Sequence, residues 1–415
     1  MSKSDVIIVG AGLTGLCCAL ELQKQGVSCQ LLEASDGVGG RVRTDEVEGF
    51  LLDRGFQVYL EAYPEGKRVL DYAGLDLRPF FPGSLVRFSG KWYRLADPKR
   101  ELRVALQNLF SPVGSLGDKY RMLQLRKRVF RWNWNELFGA KDMPVRGLLD
   151  GLGFSARMIN RFFRPLYGGV SLDPSLTSSS RMFEFYFRMA FEGRTSLPNE
   201  GMGAIPNQIA SRLQPGTVRL QQRVKEIGEN NRLVLESGEE LEADAVVLAT
   251  EGPEAYRLIP TLGAVRSRPM ATVYFSADRI PKEGPWLMLN GNNEWPVNHV
   301  AVVSEVAPGY APPEKSLVAV TVVGKMLDDD DLLVRQVRDQ LKRWFGRQTD
   351  QWKHLRTYRI MHAHPEVAPR ALEDRTPPIR PGLFACGDHR AGASIHHAML
   401  SGRRTAEAIL ESVKV

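Results

Sequence analysis

Val6-Ile7-Ile8-Val9 runs directly into Gly10-Ala11-Gly12-Leu13-Thr14-Gly15, and this junction constrains the chain more than any other stretch. Four β-branched apolar residues in succession read as a strand buried on both faces, the pattern of a parallel sheet. The glycines that follow are spaced for three tasks. Gly10 takes the tight turn, Gly12 lets backbone approach a pyrophosphate, and Gly15 lets the next helix pack closely on the strand. Across Ala11, Leu13 and Thr14 the helix would open with amide groups and a positive dipole end turned toward phosphates.

The surroundings support a dinucleotide site. Leu16, Ala19, Leu20 and Leu22 continue the helix to Gly26, and Val27 to Glu33 reads as a second strand ending in an acid. Glu33 lies 18 positions beyond Gly15, where a carboxylate can accept hydrogen bonds from adenosine ribose hydroxyls and would repel an added ribose phosphate.

Immediately after it, Ala34-Ser35-Asp36-Gly37-Val38-Gly39-Gly40-Arg41-Val42-Arg43-Thr44 supplies more glycines and two arginines. This resembles the second glycine motif of the flavin-containing amine oxidoreductase superfamily, which includes amine oxidases, protoporphyrinogen oxidase and the phytoene desaturases. The resemblance implies FAD, with Gly39, Gly40 and Arg41 returning to the pyrophosphate; an arginine fork suits phosphate oxygens. It also implies an Asp-spacer-Gly passage close to the flavin, matched by Asp53, Gly55 and Phe56. Backbone at Val224 is expected against the adenine. Leu197 to Pro206, with its proline, glycines and methionine, matches the opening of a further helix. Gly382 to Asp388 and Ala393 to Arg403 resemble the terminal FAD motif, in which Gly387 and Asp388 would hold the ribityl or phosphate region. The helix start near Ile395 would turn amides toward the flavin, easing hydride acceptance.

The chain also departs from the family pattern. His396 and His397 replace an acid and a glycine, which places two imidazoles at the flavin edge as candidate proton carriers or as space-filling rings. His389-Arg390-Ala391-Gly392 has no cysteine for covalent attachment, so non-covalent FAD is expected. The lysine that many amine oxidases place near the flavin falls at Met270, which weighs against amine oxidation.

The expected fold is α/β: a two-dinucleotide-binding-domain (Rossmann-like) FAD domain with an inserted substrate domain of antiparallel sheet plus helices. FAD-binding segments cover 1–78, 197–264 and 376–415, a mostly helical substrate lobe 79–196, and an antiparallel-sheet lobe 265–375 whose wet-faced sheet floors the cavity. Phe50 to Tyr59 reads as one extended segment, Tyr63 to Gly74 as a helix, and 85–95 as a hairpin turning at Ser89-Gly90. The aromatics of Arg161 to Val170 and Arg181 to Met189 either line an apolar tunnel or form that lobe's core.

Cys17, Cys18, Cys29 and Cys386 lack ligand-like spacing and read as buried thiols of a reducing compartment. Asp328 to Asp331 suit a helix start, and His362-Ala363-His364 lacks a third ligand, so no metal is expected. The net charge of +7 is modest, with much of it between Lys119 and Arg131. That basic amphipathic stretch, 119–134, fits either a solvated helix or a peripheral membrane contact; no nucleic-acid module is visible. A cytoplasmic location is expected, with a membrane surface as the variant.

The resulting expectation is an FAD-dependent oxidoreductase taking hydride from a C–H bond of a small apolar or amphipathic substrate, with O2 or a quinone as candidate acceptors. An amine oxidase is the alternative enzyme, and a lipid-cargo carrier built like the Rab GDP dissociation inhibitors is the alternative without chemistry.

Overall fold

A computed structural model of the chain describes residues 4–96, 111–278, 280, 284–324, 328–369 and 378–413. Residues 97–110, which the sequence assigns to the helical lobe, lie outside the described residues.

The nucleotide body is a sheet in the order Val218–Arg219 (β10), Cys29–Leu32 (β2), Ser4–Val9 (β1), Glu240–Leu248 (β13), Arg232–Leu235 (β12) and Val224–Ile227 (β11), with Leu383–Ala385 (β19) beside β13. β10, β2, β1, β13 and β19 pair in parallel, whereas β11 and β12 join as an antiparallel flap. The flap turns at Asn230 and Asn231, both in the left-handed region that asparagine tolerates. The stretch 218–227 is therefore two strands on opposite sides of the sheet. The helices Leu13–Lys24 (α1) and Ile395–Val413 (α8) cross closely, because a Cβ at Gly402 would stand 2.1 Å from the Thr14 carbonyl oxygen. All four cysteines are free and buried.

The second body rests on a seven-stranded sheet: Lys353–Pro365 (β18), Ser267–Ala277 (β14), Ser316–Val323 (β17), Val297–Val302 (β16), Leu287–Asn290 (β15), Gly83–Phe88 (β7) and Lys91–Ala96 (β8). Two expectations are corrected. The hairpin β7–β8, placed by sequence in the helical lobe, pairs its first strand in parallel with β15 and so completes the sheet. Nor is the central strand of the sheet wet on either side, although the face turned to the lobe does floor the cavity. Every residue of β17 is buried, because the amphipathic helix Asp330–Phe345 (α7) covers one side with Leu333, Val337 and Leu341. Asp329 caps α7 by accepting the Leu332 amide at 3.0 Å, which accounts for the acidic run there.

Short elements connect the bodies. Thr44–Val47 (β3) pairs with Phe50–Asp53 (β4), while Thr195–Pro198 (β9) lies between Tyr59–Leu60 (β5) and Leu77–Pro79 (β6). Phe50 to Tyr59 is thus interrupted at Gly55, which has φ +94°. The helix from Pro64 (α2) ends at Val69, well before Gly74. Helices Leu116–Arg131 (α3), Arg164–Val170 (α4) and Ser180–Glu192 (α5) wall the lobe, and Ala204–Ala210 (α6) returns the chain to the nucleotide body. α3 buries Leu125 and Val129, and its Arg128 pairs with Glu184 of α5.

Candidate functional site

One cavity of about 1520 Å³ runs from the first glycine turn to the aromatic wall of the lobe. Typical small-molecule pockets occupy about 300–1,000 Å³, so this one has room for a nucleotide cofactor and a second ligand together.

At the nucleotide end, Gly10, Gly12, Leu13, Thr14, Glu33, Gly39, Gly40 and Arg41 line it, joined by Val224 across the flap and by Gly387, Asp388 and Ile395. The two glycine motifs meet: Gly39 donates its amide to the Ala11 carbonyl at 2.8 Å, and a Cβ at Gly40 would lie 3.5 Å from Gly12 Cα. Ala11 and Gly15 do not face the cavity. Ala11 donates its amide to Glu33 Oε2 at 2.8 Å, fixing the carboxylate on the turn, while a Cβ at Gly15 would strike the Gly10 oxygen at 2.0 Å.

Arg41 Nη2 bonds Asp388 Oδ1 at 2.7 Å, and Arg41 Nη1 bonds the Ala363 carbonyl at 3.1 Å. Burial works against the charged form of Asp388, but the Arg41 guanidinium beside it prevails and holds the carboxyl below its ordinary value.

Phe56 lines the cavity, and its amide donates to Thr272 Oγ1 at 3.0 Å. Gly55 stands behind it, and a Cβ there would meet Ile360 Cδ1 at 3.0 Å. Asp53 is buried outside the cavity, where Oδ1 accepts from Thr44 Oγ1 (2.6 Å) and the Met202 amide (2.9 Å) and Oδ2 from Tyr310 (2.7 Å). Burial pushes its carboxyl up to about 6. It braces the junction rather than touching the cavity.

The two histidines require a correction. Ile395 and Ala398 line the cavity, three positions apart on one face of α8. His396 and His397 point elsewhere, into a buried cluster with Tyr63, Phe138 and Phe185. His396 Nδ1 accepts the Glu65 amide at 3.3 Å, and His397 Nδ1 lies 2.7 Å from Ser394 Oγ. Burial depresses both, His396 to about 4, so they are neutral at neutral pH and do not reach the cavity.

Sequence reasoning missed four cavity-lining groups. Thr250 Oγ1, His299 Nε2, Thr321 Oγ1 and His364 Nε2 are buried with no hydrogen-bond partner among the described residues. The readable signal for His299 and Thr321 was a polar residue inside a mostly apolar strand.

The nucleotide end fits FAD on its own geometry. A Cβ on Gly12 would meet nothing within 4 Å, so the turn faces open cleft where a pyrophosphate would lie. Thr250 Oγ1 and His364 Nε2 offer unmade hydrogen bonds along the same wall.

Comparison with known proteins agrees with this arrangement. The model of the flavin containing amine oxidoreductase family matches residues 13–410. The chain belongs to that family. Among its curated relatives, phytoene dehydrogenase of Streptomyces griseus is 27% identical over 303 residues, 64% of this chain and 57% of that one. Protoporphyrinogen oxidase 2 of Arabidopsis thaliana is 37% identical over 82 residues, 20% of this chain and 16% of that one. The chain thus spans little more than half the length of the phytoene dehydrogenase. Cyclohexylamine oxidase from Brevibacterium oxydans shares the fold, with a TM-score of 0.72 and 17% identity over 100% of both chains.

Proposed function

We propose that this protein is an FAD-dependent oxidoreductase that takes hydride from a C–H bond of an apolar or amphipathic small molecule, with the flavin held non-covalently. The observation that carries this reading is the continuity of the cavity: a nucleotide cradle and an aromatic chamber share one space. Glu33 would hold ribose hydroxyls, the Gly12 and Gly40 backbones the pyrophosphate with Arg41 beside it, and the first turn of α8 would set backbone dipoles against the ring system. FAD bound there supplies a two-electron acceptor.

The chain's own part is to orient the substrate and keep water out. Phe162, Leu166, Tyr186 and Phe187 wall the chamber, while Leu287, Met270 and Ile360 lie on its floor. Met270 lies on the floor at the position where many amine oxidases of the family place a lysine, which disfavours an amine. The family likeness to phytoene dehydrogenase and protoporphyrinogen oxidase favours an apolar substrate over an amine.

The purified protein is expected to be yellow, to release its flavin on denaturation, and to bleach anaerobically with a polyene or a porphyrinogen but not with a primary amine. A colourless protein that cannot be reconstituted with FAD would return the reading to a lipid carrier, and bleaching by an amine alone would return it to an amine oxidase.

The same reading extends to a membrane surface. Leu116, Tyr120 and Leu123 lie on α3 beside the cavity with relative exposures of 64%, 64% and 46%, and Lys119 and Arg126 share the helix. An apolar substrate could pass from an anionic bilayer along this edge. Among the described residues no helix is long and apolar enough to cross a membrane.

A further inference from the structure

His299 of β16 and Thr321 of β17 are direct cross-strand partners, and Thr321 in turn faces Thr272 of β14. Opposed residues of an antiparallel sheet project from the same face, so the three form a polar row across three strands. Thr272 is occupied by the Phe56 amide. His299 and Thr321 line the cavity and are only 6% and 1% exposed, and their Nε2 and Oγ1 are buried without a partner among the described residues.

The tautomer of His299 follows from its neighbour. Asn298 Nδ2 donates to the Pro165 carbonyl at 2.9 Å and lies 2.9 Å from His299 Nδ1. An amide nitrogen offers only hydrogens, so Nδ1 accepts and the ring proton sits on Nε2, the nitrogen left without a partner among the described residues. Burial drives the ring's pKa down to about 3, keeping it neutral. Gly169 of α4 makes room for this arrangement, since a Cβ there would stand 2.9 Å from Nδ1. The ring also packs edge-on to Phe56, at 5.2 Å between centroids, next to the expected flavin position.

A protein seldom buries two polar groups side by side without partners. Resting on the reading of this chamber as the substrate side of a flavin site, we propose that His299 Nε2–H and Thr321 Oγ1 together anchor a neutral oxygen, a hydroxyl or a carbonyl, carried by an otherwise apolar substrate. A carbonyl accepts from both groups. A hydroxyl accepts from the imidazole and donates to the threonine. The row itself carries no charge, so a carboxylate would enter without a counter-ion.

The test is calorimetric titration of the flavin-loaded protein with benzylacetone and with isopentylbenzene, which has a methyl in place of the carbonyl oxygen. The ratio of the two affinities is compared among wild type, His299→Phe, Thr321→Val and Thr321→Ser. Loss of either anchor is expected to lower the ketone-to-hydrocarbon ratio about tenfold. Thr321→Ser, which keeps the hydroxyl, should hold the wild-type ratio. A ratio unchanged within about twofold in both His299→Phe and Thr321→Val, or no measurable uptake of benzylacetone, overturns the proposal. Flavin content measured on the same samples keeps the two readings apart: an unchanged ratio in variants that retain their flavin overturns the anchor alone and leaves the flavin reading standing.

Discussion

Arg41 Nη2 and Asp388 Oδ1 stand 2.7 Å apart on the cavity wall, although 347 positions separate them in the chain. Each is a partner the other requires, because removing one leaves an uncompensated charge in a partly buried site. Arg41→Met should lower flavin occupancy at least tenfold and destabilise the protein by about 2 kcal/mol, a figure discounted for the solvent that reaches Arg41. Adding Asp388→Asn should restore much of the stability but not the flavin. Flavin content and thermal melts check both; recovered flavin in the double variant would mean that the arginine does not touch the cofactor.

Gly12 and Gly15 should separate binding from folding. Gly12 has φ −72° and open cleft where its Cβ would lie. Gly12→Val should therefore leave the melting temperature of the apoprotein nearly unchanged while abolishing flavin uptake. Gly15→Ala drives a methyl against the Gly10 carbonyl, an overpacking cost of about 1–3 kcal/mol or more, and should lower the melting temperature first. Equal effects on stability from the two substitutions would contradict the assignment.

Asp53 predicts an unusual pH dependence. Its carboxyl is pushed up to about 6, so between that value and the ordinary carboxylate range the folded chain holds a proton that the unfolded chain releases. Stability linked to this group is full below about pH 4 and declines as pH rises toward about 6, by on the order of 3 kcal/mol. Asp53→Asn keeps Oδ1 for Thr44 and Met202 and should flatten that decline. Denaturant titrations across the window would show it; an unaltered slope would exclude Asp53 as its source.

For α3, replacing Leu116, Tyr120 and Leu123 with serine should reduce sedimentation with anionic vesicles at least fivefold, at roughly 0.8 kcal/mol per buried methylene lost, without unfolding a helix held by Leu125 and Val129. Equal sedimentation of the triple variant and wild type would remove the membrane reading.

The nucleotide half was legible because its constraints are local. A tight turn, a close helix approach and an acid at a strand end each demand a residue type at a fixed spacing, and Gly10, Gly15 and Glu33 stand where that logic puts them. The histidines were misplaced because a motif fixes where a helix begins but not which way it is rotated. Tyr63, Phe138 and Phe185, all distant in sequence, draw His396 and His397 inward and leave Ile395 and Ala398 on the cavity. The hairpin at 83–96 looked self-contained until β15, some two hundred positions later, supplied its partner. His299 and Thr321 lay within apolar strands, and only their register across the sheet brings them together.

The pairing order of the nucleotide sheet has a consequence for biosynthesis. β1 leaves the ribosome some 230 positions before its neighbour β13 at 240–248, and α8, which closes against α1, follows β19 later still. β1 therefore waits, apolar and half-paired, until residues 240–248 have been made, and a nascent chain of this design would depend on chaperone shelter before any flavin could be loaded.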